Sequence, residues 1–185
     1  MKNGIIIKDL LEKKDRVDLK LKLVAGEAGI SKPITVRDIN RPGLAMAGYY
    51  DFFAYDRLQL FGLGETAYLR RLSDEERQDC YNKFFSYDIN CCIFSHNEQP
   101  DRLFIEAANS KNVPVMVTER DTTRFSGILN FILDEVFAPT VSIHGTLVDV
   151  NGIGVLLLGK SGVGKSECAL ELIERGHRLI GDDVI

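Results

Sequence analysis

The segment Gly159–Ser166, which reads GKSGVGKS, has the composition and spacing of a loop that binds phosphate. It matches the pattern G-x-x-x-x-G-K-[ST] at every fixed position. Glycines permit a tight loop whose backbone N–H groups face phosphate oxygens, and the following helix adds its positive N-terminal end. A lysine in the position of Lys165 neutralises the β- and γ-phosphates, and a hydroxyl in the position of Ser166 binds Mg²⁺. The predicted nucleotide-phosphate site therefore comprises Gly159, Lys160, Ser161, Gly162, Val163, Gly164, Lys165 and Ser166.

The elements around this loop strengthen the prediction. An apolar strand, VLLL, precedes the loop, and the helix SECALELIERG follows it and ends at Gly176. The next segment, HRLIGDDVI, begins a strand that the right-handed crossover rule places parallel to VLLL, with its far end beside the loop. We therefore expect Asp182 and Asp183 near the phosphates, where a carboxylate can bind Mg²⁺ or accept the proton of an attacking hydroxyl. A solvated acidic turn is the alternative that these residues leave open.

Other residues with chemical potential have weaker sequence signals. His144 lies on the strand-like segment SIHG, and physical reasoning alone would not select a lone strand histidine. The four cysteines are Cys80, Cys91, Cys92 and Cys168, a spacing typical of neither a disulfide framework nor a metal site. If Cys91 and Cys92 lie on a strand, their side chains point to opposite faces.

The rest of the pattern predicts an α/β protein with two domains. INCCIF and VPVMVT alternate with two amphipathic helices, which indicates a small parallel α/β layer. Ser73 and Glu76 form a predicted capping box at the start of a charged helix. Pro139 interrupts the periodicity, so we place one domain at residues 1–137 and the beginning of a second at 138–185. In the second domain, Asn151-Gly152 between apolar runs predicts a hairpin that leads into the phosphate loop.

Composition excludes several classes of function. The chain is 45% hydrophobic and 27% charged, which is typical of a globular protein. A formal net charge of -4 gives no attraction to nucleic acid or to anionic membranes. No apolar run approaches the roughly 18 residues of a membrane span, and the N-terminal apolar run is too short for a signal peptide. We therefore expect a cytoplasmic protein with neither nucleic-acid nor membrane partners.

Longer stretches of the chain resemble the HPr kinase/phosphorylase family. The segment SIHGTLVDVNGIGVLLLGKSGVGKSECALELIERGHRLIGDD is similar to the start of that family's kinase domain. AGEAGISKPI and NRPGLAMAGYYDFFAYDRLQLFGLGE are similar to its first domain, which has a regulatory and assembly role. The resemblance implies an N-terminal α/β domain like that of the muramyl ligases. It also implies a P-loop kinase domain closer to phosphoenolpyruvate carboxykinase than to eukaryotic protein kinases.

The resemblance carries a specific activity with it. Such enzymes use ATP or pyrophosphate, with Mg²⁺, to phosphorylate a seryl residue of the phosphocarrier protein HPr. With inorganic phosphate they reverse the reaction and release pyrophosphate. Through these two activities such enzymes regulate carbon catabolite repression. Family members are homohexamers that respond to glycolytic intermediates such as fructose 1,6-bisphosphate.

The resemblance also assigns roles to individual residues. It identifies Lys165 and Ser166 as loop residues, His144 as an active-site residue, and Asp183 as the general base. Asp182 is a second candidate metal ligand beside Ser166. Because the family continues well past GDDVI, with a further acidic metal ligand, an arginine and a surface for HPr, we expect this chain to be an incomplete fragment. The residues alone leave two alternatives, a P-loop kinase of a small molecule and a non-catalytic sensor or assembly module.

Overall fold

In the computed structural model, which describes residues 5–12, 18–139 and 141–184, the chain divides between Ala138 and Pro139 into two units. The strands of the first unit are β1 (Ile5–Ile6), β2 (Leu21–Ala25), β3 (Pro33–Ile34), β4 (Ile39–Asn40), β5 (Leu58–Phe61), β6 (Cys92–Phe94) and β7 (Val115–Thr118). Its helices are α1 (Ile7–Glu12), α2 (Gly43–Met46), α3 (Leu63–Leu69), α4 (Asp74–Phe84), α5 (Arg102–Ser110) and α6 (Thr122–Val136). The second unit contains β8 (Gly145–Val150), β9 (Ile153–Leu158), α7 (Lys165–Glu174) and β10 (Arg178–Gly181).

A five-stranded sheet in the order β2-β7-β6-β5-β4 organises the first unit. The strands β4 to β7 are parallel, and β2 pairs with β7 in the antiparallel direction. The prediction of a parallel α/β layer is confirmed. Strands β1 and β3 form a separate antiparallel pair.

The two faces of this sheet carry different cores. One face is aliphatic, with Leu60, Ile93 and Met116 beneath the apolar side of α6. The other face is largely aromatic and packs against α4 and α5. Cys91 belongs to the aliphatic core and Cys92 to the aromatic one, so the prediction that they point in opposite directions is confirmed. Burial raises the pKa of the Cys91 thiol to about 12 and raises that of Cys92 well above its ordinary value.

Phe104 lies at the centre of the aromatic core and is 1% exposed. Its ring meets those of Tyr81 and Phe94 edge-on, with centroids 5.0 and 5.2 Å away. It meets Phe61 in the same geometry at 5.4 Å, and Phe61 itself stacks on Phe94 at 4.5 Å. Edge-to-face and offset contacts of this kind stabilise an aromatic cluster beyond the area that it buries. Phe104 is the largest α5 side chain in the buried part of this core, with Ala108 beside it.

Local capping signals in the sequence form as predicted. The Ser73 hydroxyl accepts a hydrogen bond from the Glu76 N–H at 3.2 Å, and the Glu76 carboxylate accepts one from the Ser73 N–H at 2.7 Å. A second carboxylate, that of the buried Glu65, accepts from the Gly62 N–H at 2.9 Å and from Arg41 Nη2 at 2.7 Å. Burial raises the pKa of Glu65, but these hydrogen bonds, together with one from its own N–H and the charge of Arg41, outweigh burial and lower it overall.

Two side chains approach Gly62 closely at the end of β5. A Cβ atom at this position would lie 2.7 Å from Thr122 Oγ1 and 2.8 Å from Arg41 Nη2. Both distances are shorter than a van der Waals contact. The side chains of the first residue of α6 and of the residue after β4 thus both lie against the Gly62 backbone, at the carboxyl end of β5.

The second unit is a three-stranded antiparallel sheet in the order β10-β8-β9 with α7 packed on it. Asn151 and Gly152 both have positive φ, 54° and 84°, which is the geometry of a two-residue type I′ hairpin. Strand β10 runs in the same direction as β9, as the crossover rule predicts, but it pairs with β8. Strand β8 therefore lies between β9 and β10 and pairs with one of them along each of its two edges.

Among the described helices of both units, none is long and apolar enough to cross a membrane.

Phe104→Ala should lower the free energy of unfolding of the first unit by about 3–5 kcal/mol, because it removes a buried ring that its neighbours cannot replace. Urea denaturation followed by circular dichroism measures this loss. Phe52→Ala is the matched control, since the Phe52 side chain is 89% exposed and its removal should change stability by no more than about 0.5 kcal/mol. Equal losses in the two variants would contradict the assigned core.

Candidate functional site

A cavity of about 570 Å³ opens at the phosphate loop of the second unit. It is lined by loop residues together with His144, Thr146, Asp182 and Asp183. The cavity contains every residue that the sequence predicts for the site except Val163. A Cβ atom on Gly159 would lie 2.8 Å from Val163 Cγ2, so the valine side chain packs over the glycine at the start of the loop.

The loop conformation depends on its glycines. Strand β9 ends at Leu158 and helix α7 begins at Lys165, so the loop connects them directly. Gly162 and Gly164 have φ values of 82° and 90°, in the left-handed region that side chains disfavour. Gly164 is the residue immediately before α7. In loops of this kind, successive backbone N–H groups point to the loop mouth and can bind an anion.

The ammonium group of Lys165 lies across the loop. Lys165 Nζ donates to the carbonyl oxygens of Gly159 at 2.9 Å and Lys160 at 3.0 Å. These contacts hold a positive charge at the loop, and a positive charge in this position is what polyphosphate recognition requires. Phosphate oxygens can replace the two carbonyls as acceptors because an ammonium has three donors on a rotatable group.

Asp182 reaches the cavity from the end of β10 and is held there by strand β8. Thr146 Oγ1, on a buried residue of β8, donates to Asp182 Oδ1 at 2.5 Å. This hydrogen bond lowers the pKa of Asp182, with further contributions from the Asp183 N–H and from the charge of Lys165. Asp182 is therefore ionised at neutral pH and fixed in orientation.

Asp183 and His144 are joined through the backbone. The carbonyl oxygen of Asp183 lies 3.0 Å from His144 Nδ1 and also accepts from the Gly145 N–H at 3.3 Å. Because a carbonyl only accepts, Nδ1 carries the hydrogen, and in a neutral ring Nε2 is then an acceptor. Asp183 has a φ of 67°, a conformation that costs free energy in a residue other than glycine.

The Asp183 carboxylate differs from that of Asp182. Within the described part of the chain, no group donates a hydrogen bond to it, although it lines the same cavity. A carboxylate with unused lone pairs beside a phosphate loop can accept a proton from an incoming hydroxyl. The two adjacent carboxylates thus have different surroundings.

The donor set fits a metal that arrives with a nucleotide. Among the described residues, no group of three or more His, Cys, Asp or Glu side chains could hold a metal ion. Mg²⁺ is commonly bound by one or two carboxylates together with substrate phosphates and water. Asp182, which is ionised, and the Ser166 hydroxyl in the loop provide that smaller set.

Sequence reasoning missed Thr146 and Glu167, which also line the cavity. A strand threonine has no motif of its own, and only its distance of two residues from His144 could have placed it on the same side of the chain. Glu167 is the third residue of α7, immediately after the motif, so its place beside the loop could have been inferred from the motif.

Thr146→Val should raise the pKa of Asp182 towards the ordinary value of an aspartate, because it removes the principal hydrogen-bond donor and keeps the shape of the side chain. A carbon-detected NMR titration of the Asp182 carboxyl measures the change. Thr146→Ser keeps the hydroxyl and should leave the pKa low. An unchanged pKa in the valine variant would show that another group holds Asp182.

Comparison with known proteins gives consistent family matches. The family model described as HPr Serine kinase N terminus matches residues 5–133, and the model of the HPr Serine kinase C-terminal domain matches residues 135–185. A solved regulatory region of Clostridium perfringens pyrophosphatase, containing CBS and DRTGG domains with diadenosine tetraphosphate, is 15% identical with a TM-score of 0.48. The match covers 72% of this chain and 50% of the pyrophosphatase chain.

Curated relatives share the same name. The HPr kinase/phosphorylase of Leptospira biflexa is 50% identical over 98% of this chain, and that of Treponema pallidum is 49% identical over 95%. The HPr kinase/phosphorylase of Bacillus pumilus is 44% identical over 96%. The match covers 55–56% of the length of these three relatives, so the chain spans little more than half of their length. With both family models matched across the two units, the chain belongs to the HPr serine kinase family.

Proposed function

We propose that this chain provides the nucleotide site of an enzyme that phosphorylates a seryl residue of HPr from ATP or pyrophosphate. The same enzyme would remove that phosphoryl group by phosphorolysis. The observation that carries the proposal is the single cavity in which the phosphate loop, His144 and the Asp182-Asp183 pair meet. The names of the curated relatives support HPr as the acceptor.

In the forward direction, the seryl oxygen attacks the terminal phosphorus in line with the bond to the leaving phosphate. The new O–P bond forms as the bond to ADP, or to phosphate when pyrophosphate is the donor, breaks. The proton of the seryl hydroxyl passes to the Asp183 carboxylate, which has no hydrogen-bond donor among the described residues to compete with it. Lys165 offsets negative charge on the donor phosphates.

His144, which lines the same cavity, would assist by contacting the phosphates. Its ring is held through Nδ1 by the carbonyl of Asp183, so Nε2 is left for the ligand. The same contact links the ring to the residue that moves the proton. We therefore assign His144 to orientation of the transferring phosphoryl group.

Phosphorolysis uses the same groups in reverse. An oxygen of inorganic phosphate attacks the phosphorus of phosphoserine, and the seryl oxygen leaves with a proton returned by Asp183. The product is pyrophosphate, and the HPr serine is regenerated.

Ser166 and Asp182 would bind the Mg²⁺ that accompanies the nucleotide, and the ion would neutralise phosphate charge when bound. The hydrogen bond from Thr146 keeps Asp182 ionised for this purpose.

Family membership supports further parts of the proposal. These are a regulatory and assembly role for residues 1–137, a homohexameric enzyme, a response to fructose 1,6-bisphosphate or a similar effector, and control of carbon catabolite repression. A likeness of the first domain to the muramyl ligases, and of the kinase domain to phosphoenolpyruvate carboxykinase, belongs to the same proposal.

Calorimetric titration of Mg-ATP into the chain tests the phosphate site. Lys165→Ala should weaken binding at least about tenfold, because it removes the ammonium from the loop. Lys111→Ala removes an equal charge from the first unit and should leave the affinity unchanged within about twofold. Equal affinities in the two variants would refute the assignment of the loop.

Asp183→Asn should reduce phosphoryl transfer in both directions by about 10²–10⁴-fold while leaving Mg-ATP affinity nearly unchanged. Mass spectrometry of HPr after incubation with ATP, and of phospho-HPr with inorganic phosphate, measures the two directions. Wild-type rates in the variant would disprove the general-base assignment. Transfer to shikimate or gluconate in preference to HPr would instead identify a small-molecule kinase.

A further inference from the structure

A second cavity lies within the first unit, between helix α6 and the edge strand β4. Its volume is about 400 Å³, within the range of small-molecule sites. One wall is formed by Thr122, Ser126 and Asn130, which are spaced by four residues and so lie on one side of α6. The apolar side of the cavity is formed by Ile39 and Leu60. We call this cavity the α6 groove.

The sheet register places an arginine at each end of the α6 groove. Ile39 is opposite Leu58 and Asn40 is opposite Gln59, so Arg57 lies at the start of the β4–β5 pair and Arg41 at its end. Three residues along a strand span about 10 Å. The contacts around Gly62 place Thr122 at the Arg41 end. Asn130, two helical turns further along α6, is therefore at the Arg57 end.

The two arginines differ in the donors that they have available. Arg41 Nη2 is bound to the buried carboxylate of Glu65 at 2.7 Å. Arg57 Nη2 lies 3.6 Å from Asp38 Oδ2, which is an ion pair but longer than a hydrogen bond. Among described residues, Arg57 makes no side-chain hydrogen bond, and neither does the Asn130 amide. The Arg57 end thus combines a guanidinium that is ion-paired with Asp38 but makes no side-chain hydrogen bond with an amide that makes none either, both among the described residues.

The other lining groups restrict the chemistry of a ligand. Ser126 Oγ, which itself donates to the Thr123 carbonyl, and the Asp38 carboxylate can accept hydrogen bonds from hydroxyl groups, and Ile39 offers a partly exposed apolar surface. None of the described lining residues is aromatic, so the groove has no ring on which a nucleobase would stack. A guanidinium fork pairs best with a phosphate or a carboxylate. The groove therefore matches a small hydroxylated anion.

We propose that the α6 groove is a binding site for a small polyhydroxylated anion, separate from the phosphate loop. The anionic group binds Arg57 and Asn130, and hydroxyl groups of the ligand bind Ser126 and Asp38. Ile39 contacts the carbon skeleton. A phosphate ester and a sugar acid share this chemistry, and the experiment below distinguishes them.

Titration calorimetry of the 185-residue chain tests the proposal in the Lys165→Ala background, which removes the ammonium of the phosphate loop. The probes are glucose 6-phosphate, gluconate, glucose and inorganic phosphate. We expect at least one of the two hydroxylated anions to bind, more tightly than glucose and inorganic phosphate. Arg57→Ala should weaken that binding at least tenfold. Binding of glucose 6-phosphate alone identifies a phosphate-ester site, and binding of gluconate alone a sugar-acid site.

Two further variants make the result specific to the groove. Arg102→Ala is the matched control, because Arg102 is also paired with a carboxylate but lies on α5, outside the groove. The affinity of this variant for the anion should stay within twofold of the parent value. Asn130→Asp places a negative charge on an exposed helix position and should weaken anion binding even if Arg57→Ala fails to fold. Absence of binding by both anions, or equal affinity for glucose, would overturn the proposal. So would full affinity in Asn130→Asp.

Discussion

The candidate site depends on one constraint, which is that strand β8 pairs along both of its edges. Strands β9 and β10 run in the same direction, so their carboxyl ends lie at the same end of the sheet. Because β8 runs the opposite way, its first residues lie at that end too. The phosphate loop, the aspartate pair and the segment His144–Thr146 therefore converge at that end of the sheet.

This arrangement gives two neighbouring carboxylates different properties. The backbone has a positive φ at Asp183, and the two side chains have different hydrogen-bond partners. Asp182 receives the buried Thr146 hydroxyl and stays ionised, whereas Asp183 uses its backbone carbonyl to hold His144 and keeps its carboxylate free among the described residues. Environment separates the tasks of chemically identical groups in the same way at many acid-base sites. Strand β8 thus brings the site residues together and also gives the two aspartates different surroundings.

The features that the sequence predicts correctly are local ones. The Asn151-Gly152 hairpin and the Ser73–Glu76 capping box each depend on a few neighbouring residues. The alternation of Cys91 and Cys92 follows directly from strand geometry. In contrast, the position of β8 between β9 and β10 depends on which strand edges find partners, and no short pattern encodes it. The site role of Thr146 and the presence of the α6 groove were missed for the same reason. Each depends on elements that meet only after the sheet has formed.

The division of the thiols between the two cores has a consequence for chemical labelling. Thiolates, not thiols, react with alkylating reagents, and burial raises the pKa of Cys91 to about 12 and that of Cys92 well above its ordinary value. Cys168 is exposed on α7, in the second unit. A thiol reagent should therefore modify Cys168 in the native protein and reach the adjacent pair only when the five-stranded sheet opens. Because the pair spans both faces of that sheet, the chain carries its own reporter for the simultaneous loss of both cores of the first unit.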